Sequence, residues 1–577
     1  MIFRPSNGGP GHKSPRLSLR WVLSGRSRRA AVRGSLPALP LLLLLVAGVP
    51  AAAQTAESTA TLGEVLPGGE LEGYLRLLQV AGKTRAYPWS VRGFSPGDVG
   101  RLAPRDSAHP WAGRYTFADD APEGEPRVHV HPVRTRAVFN SAFPYGGNDG
   151  AVWAGKGLTT AVEAGVTARW RWLSLTLAPV AFRAENAEFE LEEGDAPGPE
   201  PFVDARHPNQ IDLPQRFGDG AYARIDPGQS TLRADVGPAA VGISTANQVW
   251  GPAFDYPIMQ GNNAPGFVHA FLGTSRPVDL WVGKLHGRAF WGRLEESPYS
   301  PTAADSAVRF GTGLVVAFSP RGVPGLEFGF SRFFHMPWPE GGPGGTEIFK
   351  PLETFFKVNL YSVIQGNDTI ESSESVVANQ LAAAFGRWVF PESGLELYGE
   401  LASEDHRHNL RDWLLEPDHA TSYTLGFRKV WVRDERRFWS LRGELLNGQA
   451  SHLARTRRQD PFYIHAHTRQ GHTSRGQLLG SPEAYGGAAS TLAADYYHPG
   501  GRVTGFWKRA VRQEQGRFLA TGVVETPDVM QSLGAEALLF RGRWELVGGL
   551  EGVYDFNRNF VSDVANLSAT LGVRARL

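Results

Sequence analysis

Apolar and polar side chains alternate one for one through much of the chain after residue 127. The last eleven residues are the clearest case, because Leu571 and Val573 fall on one face of an extended strand and Arg574 and Arg576 on the other. A strand of this kind needs an apolar environment on one side and an aqueous one on the other, as the wall of a lipid-embedded barrel has. A soluble β-sandwich also alternates, so the alternation alone leaves two all-β folds open.

The connections between the alternating segments favour the barrel. Eighteen candidate strands start near residues 127, 161, 173, 229, 238, 268, 278, 308, 324, 376, 394, 420, 437, 489, 501, 533, 543 and 566. Short connections such as Gly237-Pro238, Ser275–Pro277 and Arg541-Gly542 alternate with long ones such as 184–227, 448–488 and 555–565. Short periplasmic turns, long external loops and an even strand number are typical of outer-membrane barrels. We therefore predict an all-β fold, a transmembrane antiparallel β-barrel of about 18 strands, in the bacterial outer membrane.

Composition excludes several other classes of protein. A mean hydropathy of −0.26 over 577 residues leaves too little apolar sequence for a bundle of membrane-spanning helices. The chain has no cysteine, which excludes disulfide scaffolds, thiolate metal sites and cysteine nucleophiles. Charged residues make up 20% of the chain with nearly equal numbers of each sign, so no basic surface for nucleic acid is indicated.

The N-terminal region has the features of an export signal. An apolar run at Leu36–Val49 follows eight basic residues, the first acidic residue is Glu57, and Ala51-Ala52-Ala53 offers a small-residue cleavage site. The run is short for a membrane span, although a retained anchor helix is the alternative. We predict a signal peptide over 1–53. Its removal changes the formal net charge from +1 to −7.

Residues 54–126 differ in character from the rest of the mature chain. Glu70–Val80 has helical spacing, with Leu71, Leu75 and Leu78 on one face, and stretches rich in proline and glycine follow. We predict a small, mainly helical periplasmic N-terminal subdomain over 54–126, followed by the barrel with its long extracellular loops over 127–577.

Several stretches resemble the capsule assembly protein Wzi family, and they occur in the same order over most of the mature chain. They are Trp89-Ser90-Val91-Arg92, Val249-Trp250-Gly251-Pro252, Asn262-Asn263-Ala264-Pro265-Gly266-Phe267, Leu272-Gly273-Thr274-Ser275-Arg276-Pro277, Leu397-Tyr398-Gly399-Glu400 and Gly471-His472-Thr473-Ser474-Arg475-Gly476-Gln477-Leu478-Leu479-Gly480. The resemblance implies an 18-stranded outer-membrane barrel with a helical periplasmic portion that helps to hold capsular polysaccharide at the cell surface. It leaves the identity of the polysaccharide open.

Two predicted external loops carry the aromatic, amide and carboxylate side chains that sugar sites use. Rings stack on the apolar faces of pyranoses, while amides and carboxylates pair with hydroxyl groups. The candidates for polysaccharide binding are Trp250, Tyr256, Asn262 and Asn263 in one loop, and Asp405, His406 and Trp413 in the other. Against this hypothesis, the sequence Asn-Asn-Ala-Pro-Gly is also typical of turns. Trp250 is equally suited to packing a loop into the barrel mouth.

The loop at 448–488 concentrates arginine on an otherwise acidic mature protein. The further candidates are Arg455, Arg457, Arg458, Arg469 and Arg475. Guanidinium groups bind carboxylates in bidentate fashion, so the cluster suits an anionic glycan. A solvated loop, or one that contacts lipopolysaccharide phosphates, is the alternative. His465 and His467 lack a clear third ligand, and we predict neither a metal nor a cofactor.

The leading hypothesis is a non-enzymatic outer-membrane barrel that binds or anchors capsular or surface polysaccharide, and the alternative is a porin-like channel for small or sugar solutes. No catalytic serine, zinc-protease or phosphate-loop signature occurs in the chain. Expected partners are capsular or exopolysaccharide, outer-membrane lipids and the outer-membrane assembly machinery, with no nucleic acid. Charged residues on the inner strand faces predict a lumen cross-linked by ion pairs: Arg428, Arg442, Glu444, Arg543, Glu545, Arg574 and Arg576.

Overall fold

A computed structural model describes residues 67–115, 126–194, 201–302, 308–353, 378–404, 410–450, 459–465, 467–512 and 527–575. The predicted signal peptide 1–53 lies outside this range. The described helices are α1 (Glu70–Val80), α2 (Pro96–Leu102), α3 (Gly345–Ile348) and α4 (Leu410–Leu415), with 3-10 turns at Lys350–Leu352 and Pro482–Ala484. Within the described ranges, none of the helices is both long and apolar enough to cross a membrane.

The strands follow the chain from the N-terminal segment to the last residues described. They are β1 (Val91–Arg92), β2 (Arg127–Asn140), β3 (Gly157–Trp170), β4 (Leu173–Leu177), β5 (Val180–Ala184), β6 (Tyr222–Asp226), β7 (Thr231–Val236), β8 (Ala239–Ser244), β9 (Val249–Trp250), β10 (Val268–Thr274), β11 (Val278–Leu280), β12 (Gly283–Glu295) and β13 (Val308–Pro320). The remainder are β14 (Leu326–Pro337), β15 (Asn379–Phe390), β16 (Leu395–Glu404), β17 (Thr421–Asp434), β18 (Arg437–Asn447), β19 (Thr473–Ser474), β20 (Gln477–Leu478), β21 (Ala488–His498), β22 (Gly501–Val511), β23 (Val529–Arg541), β24 (Trp544–Arg558) and β25 (Ser562–Ala575).

The large sheet closes on itself as an antiparallel barrel. β2 pairs with its sequence neighbour β3 and also with the last strand, β25, so the sheet has no free edge. Three barrel strands are interrupted, and each consists of two pieces: β4 with β5, β6 with β7, and β10 with β11. With each interrupted strand counted once, the barrel has 18 strands. The predicted fold class is confirmed.

The two faces of the wall differ as the alternation predicts. On β17, Leu425 and Trp431 face outward and are about half exposed, whereas Arg428 faces the lumen and is buried. On β18, Trp439 faces outward and Glu444 faces the lumen. Apolar side chains therefore form the outer surface, and polar and charged side chains line the inside, as a wall embedded in lipid requires.

Two predicted connections are wrong. Ser275–Pro277 is not a turn between strands, because the strand resumes as β11 and the chain reverses later, at Trp281-Val282. Pro277 lacks an N–H group, so it interrupts the hydrogen-bond ladder without ending the strand. The last external connection is also shorter than predicted. Only three residues, 559–561, join β24 to β25, and Asn559 and Phe560 adopt positive φ angles in this tight turn.

The described part of the predicted N-terminal subdomain lies inside the barrel, at the end where the turns are short. In α1, Arg76 donates to Glu396 of β16 at 2.9 Å, and both side chains are buried. Tyr74 stacks on Trp111 with ring centroids 4.0 Å apart, and Trp111 packs edge-on against Phe540 of β23. These contacts join the N-terminal segment to two separate parts of the wall, β16 and β23, and fill the periplasmic half of the lumen.

Glutamates on the inner wall hold the segments that fill the lumen. Glu327 accepts from the backbone N–H groups of Trp89 and Ser90 at 2.7 and 2.8 Å. Glu444 does the same for Phe254 and Asp255 at 2.7 and 3.0 Å. A buried carboxylate is costly unless its oxygens accept hydrogen bonds, and these backbone donors meet that need. Charge-assisted hydrogen bonds therefore hold these internal segments to the barrel wall.

The predicted mixed-charge lumen is present, with one exception. Arg442 pairs with Asp255 at 2.8 Å, and Glu545 pairs with Arg574 at 3.1 Å. Arg543 does not face the lumen: it lies exposed in the turn before β24, with its guanidinium 5.1 Å from the ring of Trp544. The strand begins one residue after Arg543, so the alternation does not apply to it. Arg576 lies outside the described residues.

Candidate functional site

A cavity of about 260 Å³ lies at the end of the barrel that carries the long loops. It is enclosed by the loop at 141–156, the segment around Leu213, and the chain from Gly476 to Gly487. The ends of β22 and β23 complete the wall. The side chains that bear on its chemistry are Tyr145, Asp149, Trp153, Asn263, Gln477, Glu483, Tyr485 and Arg512. We call it the external cavity.

Aromatic side chains form one wall of the external cavity. Trp153 is half-buried, and it is fixed by edge contacts with Phe217 at 5.2 Å and Tyr222 at 6.2 Å. Tyr145 donates from its hydroxyl to Glu551 Oε1 at 2.6 Å. Burial, together with the adjacent Glu551 carboxylate, raises the pKa of Tyr145, so its hydroxyl remains a donor at neutral pH. Neighbouring side chains thus hold both Trp153 and Tyr145, and Trp153 offers its remaining surface to the cavity.

Two amide side chains stand on the facing side, at the β19–β20 hairpin. Asn263 Nδ2 donates to the carbonyl of Leu478 at 2.9 Å, and Gln477 Nε2 donates to the carbonyl of Asn263 at 3.0 Å. These two bonds orient the amide groups and occupy one donor of each. Among the described residues, neither amide oxygen has a hydrogen-bond donor. An aromatic wall opposite oriented amides is an arrangement that suits a sugar ring with hydroxyl groups at its edge.

The charged groups around the cavity already have partners. Asp149 forms an ion pair with Arg136 of β2, and Glu483 accepts a hydrogen bond from Ser481. Arg512 is bound by two carboxylates, Asp528 at 3.2 Å and Asp555. The guanidinium of Arg512 is therefore committed to protein carboxylates, and the cavity offers no unpaired cation among the residues that line it. Neutral hydroxyl groups suit this lining better than a carboxylate does.

The hairpin beside the cavity is anchored deep in the barrel mouth. Arg309 of β13 donates to the carbonyls of Gly471 and Thr473, both at 2.6 Å. His472 Nε2 donates to the carbonyl of Met259 at 2.7 Å, and its ring stacks on Tyr463 at 5.2 Å. Burial lowers the pKa of His472 to about 4. The hairpin is thus held by a neutral histidine and a buried arginine, which fixes one wall of the site.

The family model of the capsule assembly protein Wzi matches residues 215–563, which is more than half of the chain. The chain belongs to the capsule assembly protein Wzi family. Among solved structures, this Wzi-family fold resembles Wzi of Escherichia coli, described as an outer membrane protein involved in group 1 capsule assembly and as a carbohydrate-binding β-barrel. The two are 13% identical with a TM-score of 0.58, and the match covers 89% of this chain and 99% of the other. At this identity the likeness concerns the fold.

Other solved barrels match the Wzi-family chain less closely. OccAB2 of Acinetobacter baumannii is 9% identical with a TM-score of 0.38, and the match covers 78% of this chain and 97% of that one. OprD of Pseudomonas aeruginosa is 8% identical with a TM-score of 0.36, covering 79% and 94%. These scores are too low to bear on the site. No curated protein sequence matches the chain at a significant level. The Wzi-family barrel, closed and apolar on its outer face, is located in the bacterial outer membrane.

Of the sugar-binding candidates in the first loop of this Wzi-family protein, the structure brings only Asn263 to the external cavity. Trp250 is 1% exposed, pairs with Val91 through β9 and β1, and packs against Phe290. Tyr256 is buried, and its hydroxyl hydrogen-bonds to Thr491 at 2.6 Å. Neither ring has a free face for a ligand in this arrangement. Both side chains instead pack the loop into the barrel mouth.

The remaining candidates lie apart from one another. Asn262 donates to the carbonyl of Asn148 at 2.7 Å and holds two loops together. Trp413, on α4, is 37% exposed and does not line the cavity. Arg475 is tied to Asp226 and Glu295, each at 2.8 Å. Arg469 is exposed. Outside the described residues lie Asp405, His406, Arg455, Arg457 and Arg458.

Several cavity residues are not among the candidates that the sequence indicates. Tyr145 and Trp153 lie in the external loop that follows β2, and Gln477 and Glu483 lie in the arginine-containing loop. The rule that selected Trp250 and Asn262, an aromatic or amide in a predicted external loop, also selects Tyr145 and Trp153. The signal was therefore present in the sequence, but it does not say which loops meet in space.

In the 448–488 loop, His465 has a role in local structure. His465 Nδ1 accepts from the backbone N–H groups of His467 and Thr468 at 3.3 and 3.1 Å, which closes a tight turn. Across the parts of the chain that the structure describes, no three histidine, aspartate or glutamate side chains are grouped in a way that could hold a metal ion.

Proposed function

We propose that the protein binds capsular or exopolysaccharide at the cell surface and takes part in capsule assembly. Membership of the capsule assembly protein Wzi family supports this function. The observation that carries the proposal is the external cavity, where the half-buried ring of Trp153 faces the oriented amides of Asn263 and Gln477. A cavity of about 260 Å³ suits one sugar unit. A repeating polymer engages many such barrels at once, so weak individual contacts give firm attachment.

We propose further that the bound polymer is not cleaved. Glycoside hydrolysis uses two carboxyl groups, one of them as a proton donor and the other as a base or nucleophile. The two carboxylates that line the cavity are each engaged by the protein, Asp149 by Arg136 and Glu483 by Ser481. A polymer incubated with the protein is expected to keep its elution position on a size-exclusion column, and a shift to smaller products would contradict this part of the proposal.

Binding is tested with the full chain in detergent and with polysaccharide isolated from the surface of the cells that make the protein. Trp153→Ala removes the stacking surface, and Trp338→Ala is the matched control, because Trp338 is 40% exposed at the external end but does not line the cavity. We expect the first change to weaken binding roughly three- to tenfold, and the control to leave it unchanged.

The amides provide a second, independent variant. Gln477→Ala removes one hydrogen-bonding group without touching the aromatic wall, and it is expected to weaken binding by a similar factor. Equal affinities of the wild type, Trp153→Ala and Gln477→Ala would exclude the external cavity as the binding site. A loss in Arg469→Gln alone would instead favour the arginine loop and an anionic glycan.

The other partners are also proposals. Exposed leucines and tryptophans on the outer face, such as Leu571 and Trp431, suit contact with membrane lipids. The alternating last strand, β25, suits recognition by the outer-membrane assembly machinery.

A further inference from the structure

Basic side chains are concentrated on one stretch of the periplasmic rim. The stretch covers three consecutive turns, which join β17 to β18, β21 to β22 and β23 to β24. Its cations are Lys429, Arg433, Arg437, Arg541 and Arg543, and we call this set the basic arc. Asp434 and Glu435 are the acidic residues in the same turns. Arg436 lies in the same turns but donates to the carbonyl of Ala112 on the N-terminal segment, so it is not counted in the arc. The five cations of the arc outnumber the two carboxylates and leave it positive on a mature chain predicted to be acidic.

The alternation of the strands places Lys429, Arg437 and Arg541 of the basic arc on the lipid side of the wall. Lys429 lies two residues before Trp431 on β17 and shares its outward face. Arg433 lies exposed beyond Trp431, where the pairing with β18 shifts register between Val432 and Asp434. Arg437 shares the outward face of β18 with Trp439 in the same way. Both tryptophans face outward and are about half exposed. Arg541 shares the outward face of β23 with Leu533, which is exposed. Lys429, Arg437 and Arg541 therefore project beside the girdle of tryptophans and do not point into the lumen.

Three cations of the rim lie directly over tryptophan rings. In the basic arc, Lys429 Nζ lies 5.7 Å from the ring centre of Trp431, and the Arg543 guanidinium lies 5.1 Å from that of Trp544. Elsewhere on the rim, Arg171 lies 5.1 Å from the ring of Trp170. Tryptophan in such girdles sits at the level of the lipid headgroups. A cation held against the ring is therefore at the level of the lipid phosphates.

Most of the charge in the basic arc remains available. Arg437 pairs with Asp434 at 3.1 Å, but both are exposed, and such a pair is weak. Arg433, Arg541 and Arg543 are exposed, and none of the three forms an ion pair among the described residues. His498 lies between Arg437 and Arg541, within electrostatic reach of both, and extends the arc across the middle turn.

We propose that the basic arc binds the headgroups of anionic phospholipids in the periplasmic leaflet of the outer membrane. Each basic residue near a membrane surface attracts anionic lipid, and the attraction adds over a cluster. An acidic periplasmic protein or polymer would meet a different set of cations, Arg85, Arg101 and Arg105, which are exposed on the N-terminal segment at the centre of the same end. The outward orientation of the arc therefore favours lipid as its partner.

The test uses the full chain in detergent, titrated with phosphatidylglycerol or with phosphatidylcholine and followed by native mass spectrometry. We expect phosphatidylglycerol to bind at least about tenfold more tightly. The triple variant Arg433→Gln, Arg541→Gln, Arg543→Gln is expected to lose this preference. The matched control Arg85→Gln, Arg101→Gln, Arg105→Gln removes the same charge from the same end of the molecule and is expected to keep it. A shift in gel mobility on heating shows that each variant retains a folded barrel.

Other outcomes overturn the proposal. Equal binding of phosphatidylglycerol and phosphatidylcholine to the wild type would mean that the arc does not select a headgroup. An equal loss in both triple variants would assign the preference to the overall charge of the periplasmic end. Capture of soluble polyglutamate as tightly as phosphatidylglycerol, abolished in the control variant, would identify an acidic polymer or protein as the partner of this end.

Discussion

At the scale of single residues, a few buried polar side chains hold the external mouth in place. His472 is the clearest example, because it is fully buried, Nε2 donates to the carbonyl of Met259, and Nδ1 has no partner in the described structure. Arg309 lies close enough to lower the pKa of His472 further. A second proton on this ring would therefore place an unsatisfied donor and a positive charge beside a buried guanidinium.

The β19–β20 hairpin, which forms one wall of the external cavity, is expected to open more often in mild acid. The pKa of His472 is about 4 in the closed mouth, against 6.5 in an opened loop. The contribution of neutral His472 to the stability of the closed mouth is therefore complete above pH 6.5 and is lost as the pH falls towards 4. At pH 5 the closed mouth is less stable than at neutral pH by about 2 kcal/mol. Hydrogen exchange of the Thr473–Leu478 amides, corrected for intrinsic rates, should accelerate accordingly between pH 7.5 and 5.

The variant His472→Gln isolates this effect. Glutamine keeps a side-chain N–H donor for Met259 but does not titrate, so the acceleration in acid should largely disappear. His335 lies 5.7 Å from His472, ring to ring, and it is unchanged in the variant. Persistence of the full acceleration in His472→Gln would assign it to another group.

At the scale of elements, the segment 459–487 is part of the core of the mouth. Leu478 of β20 is 1% exposed within the main hydrophobic cluster, and the Tyr463 hydroxyl donates to the carbonyl of Ile258 at 2.7 Å. The backbone N–H of Tyr463 donates to Glu404 at 2.6 Å. The segment thus links the loop at 245–267 to the barrel wall. Because it lies between two wall strands in the sequence, it reads as an external loop, and this role in the core is not evident from its position.

A pair of leucine substitutions separates the packed part of the external end from the exposed part. Leu478→Ala is expected to destabilise the mouth by about 2 to 4 kcal/mol, because it leaves a cavity in the core. Leu414→Ala, on α4, removes a side chain that is 65% exposed and should have little effect. Differential scanning calorimetry in detergent measures both, and equal midpoints for the two variants would contradict the role assigned to the hairpin.

The sequence predicts the elements of this fold better than it predicts the site. Alternation is local, so it marked the wall strands, and α1 appears at Glu70–Val80 as its leucine spacing indicated. Local signals failed where a strand continues past Pro277 and where a three-residue turn at 559–561 closes the last hairpin. The external cavity depends on contacts between distant segments, such as Tyr145 with Glu551, 406 residues apart. No periodicity encodes such a pairing.

At the scale of the whole molecule, the lumen is filled from both ends. The N-terminal segment occupies the periplasmic half, where Glu396 holds Arg76. The loop that contains Trp250 and the segment that contains Tyr463 occupy the external half, and both belong to the main hydrophobic cluster. Buried carboxylates of the wall accept hydrogen bonds from backbone N–H groups of the N-terminal segment and of the loop that contains Trp250. Among the described residues, these segments narrow the lumen to a polar cavity lined by Arg134, Glu163 and Arg574, in contrast to the wide, water-filled path of a porin.

Planar-bilayer recordings are expected to show no large, stable openings for the wild-type protein, with a general porin as the positive control. We expect this because separate segments occupy the periplasmic half and the external half of the lumen. Loss of a single contact would not remove both. Steps comparable to those of the general porin would contradict the closed lumen and would return the channel hypothesis to first place.

The enclosed N-terminal segment constrains the order in which the molecule is made. Arg76 and Glu396 are separated by 320 residues, and the wall closes only when β2 pairs with β25, the last strand of the chain. A segment that enters the periplasm first must therefore wait, unpaired, until nearly every strand exists. If the seam closes first, the segment must enter through the periplasmic end of the barrel, between the short turns. Closing the seam and filling the lumen therefore both depend on the last strands, because the seam joins Thr135 to Val573, 438 residues apart, and Arg114 of the segment reaches Glu545, 431 residues away.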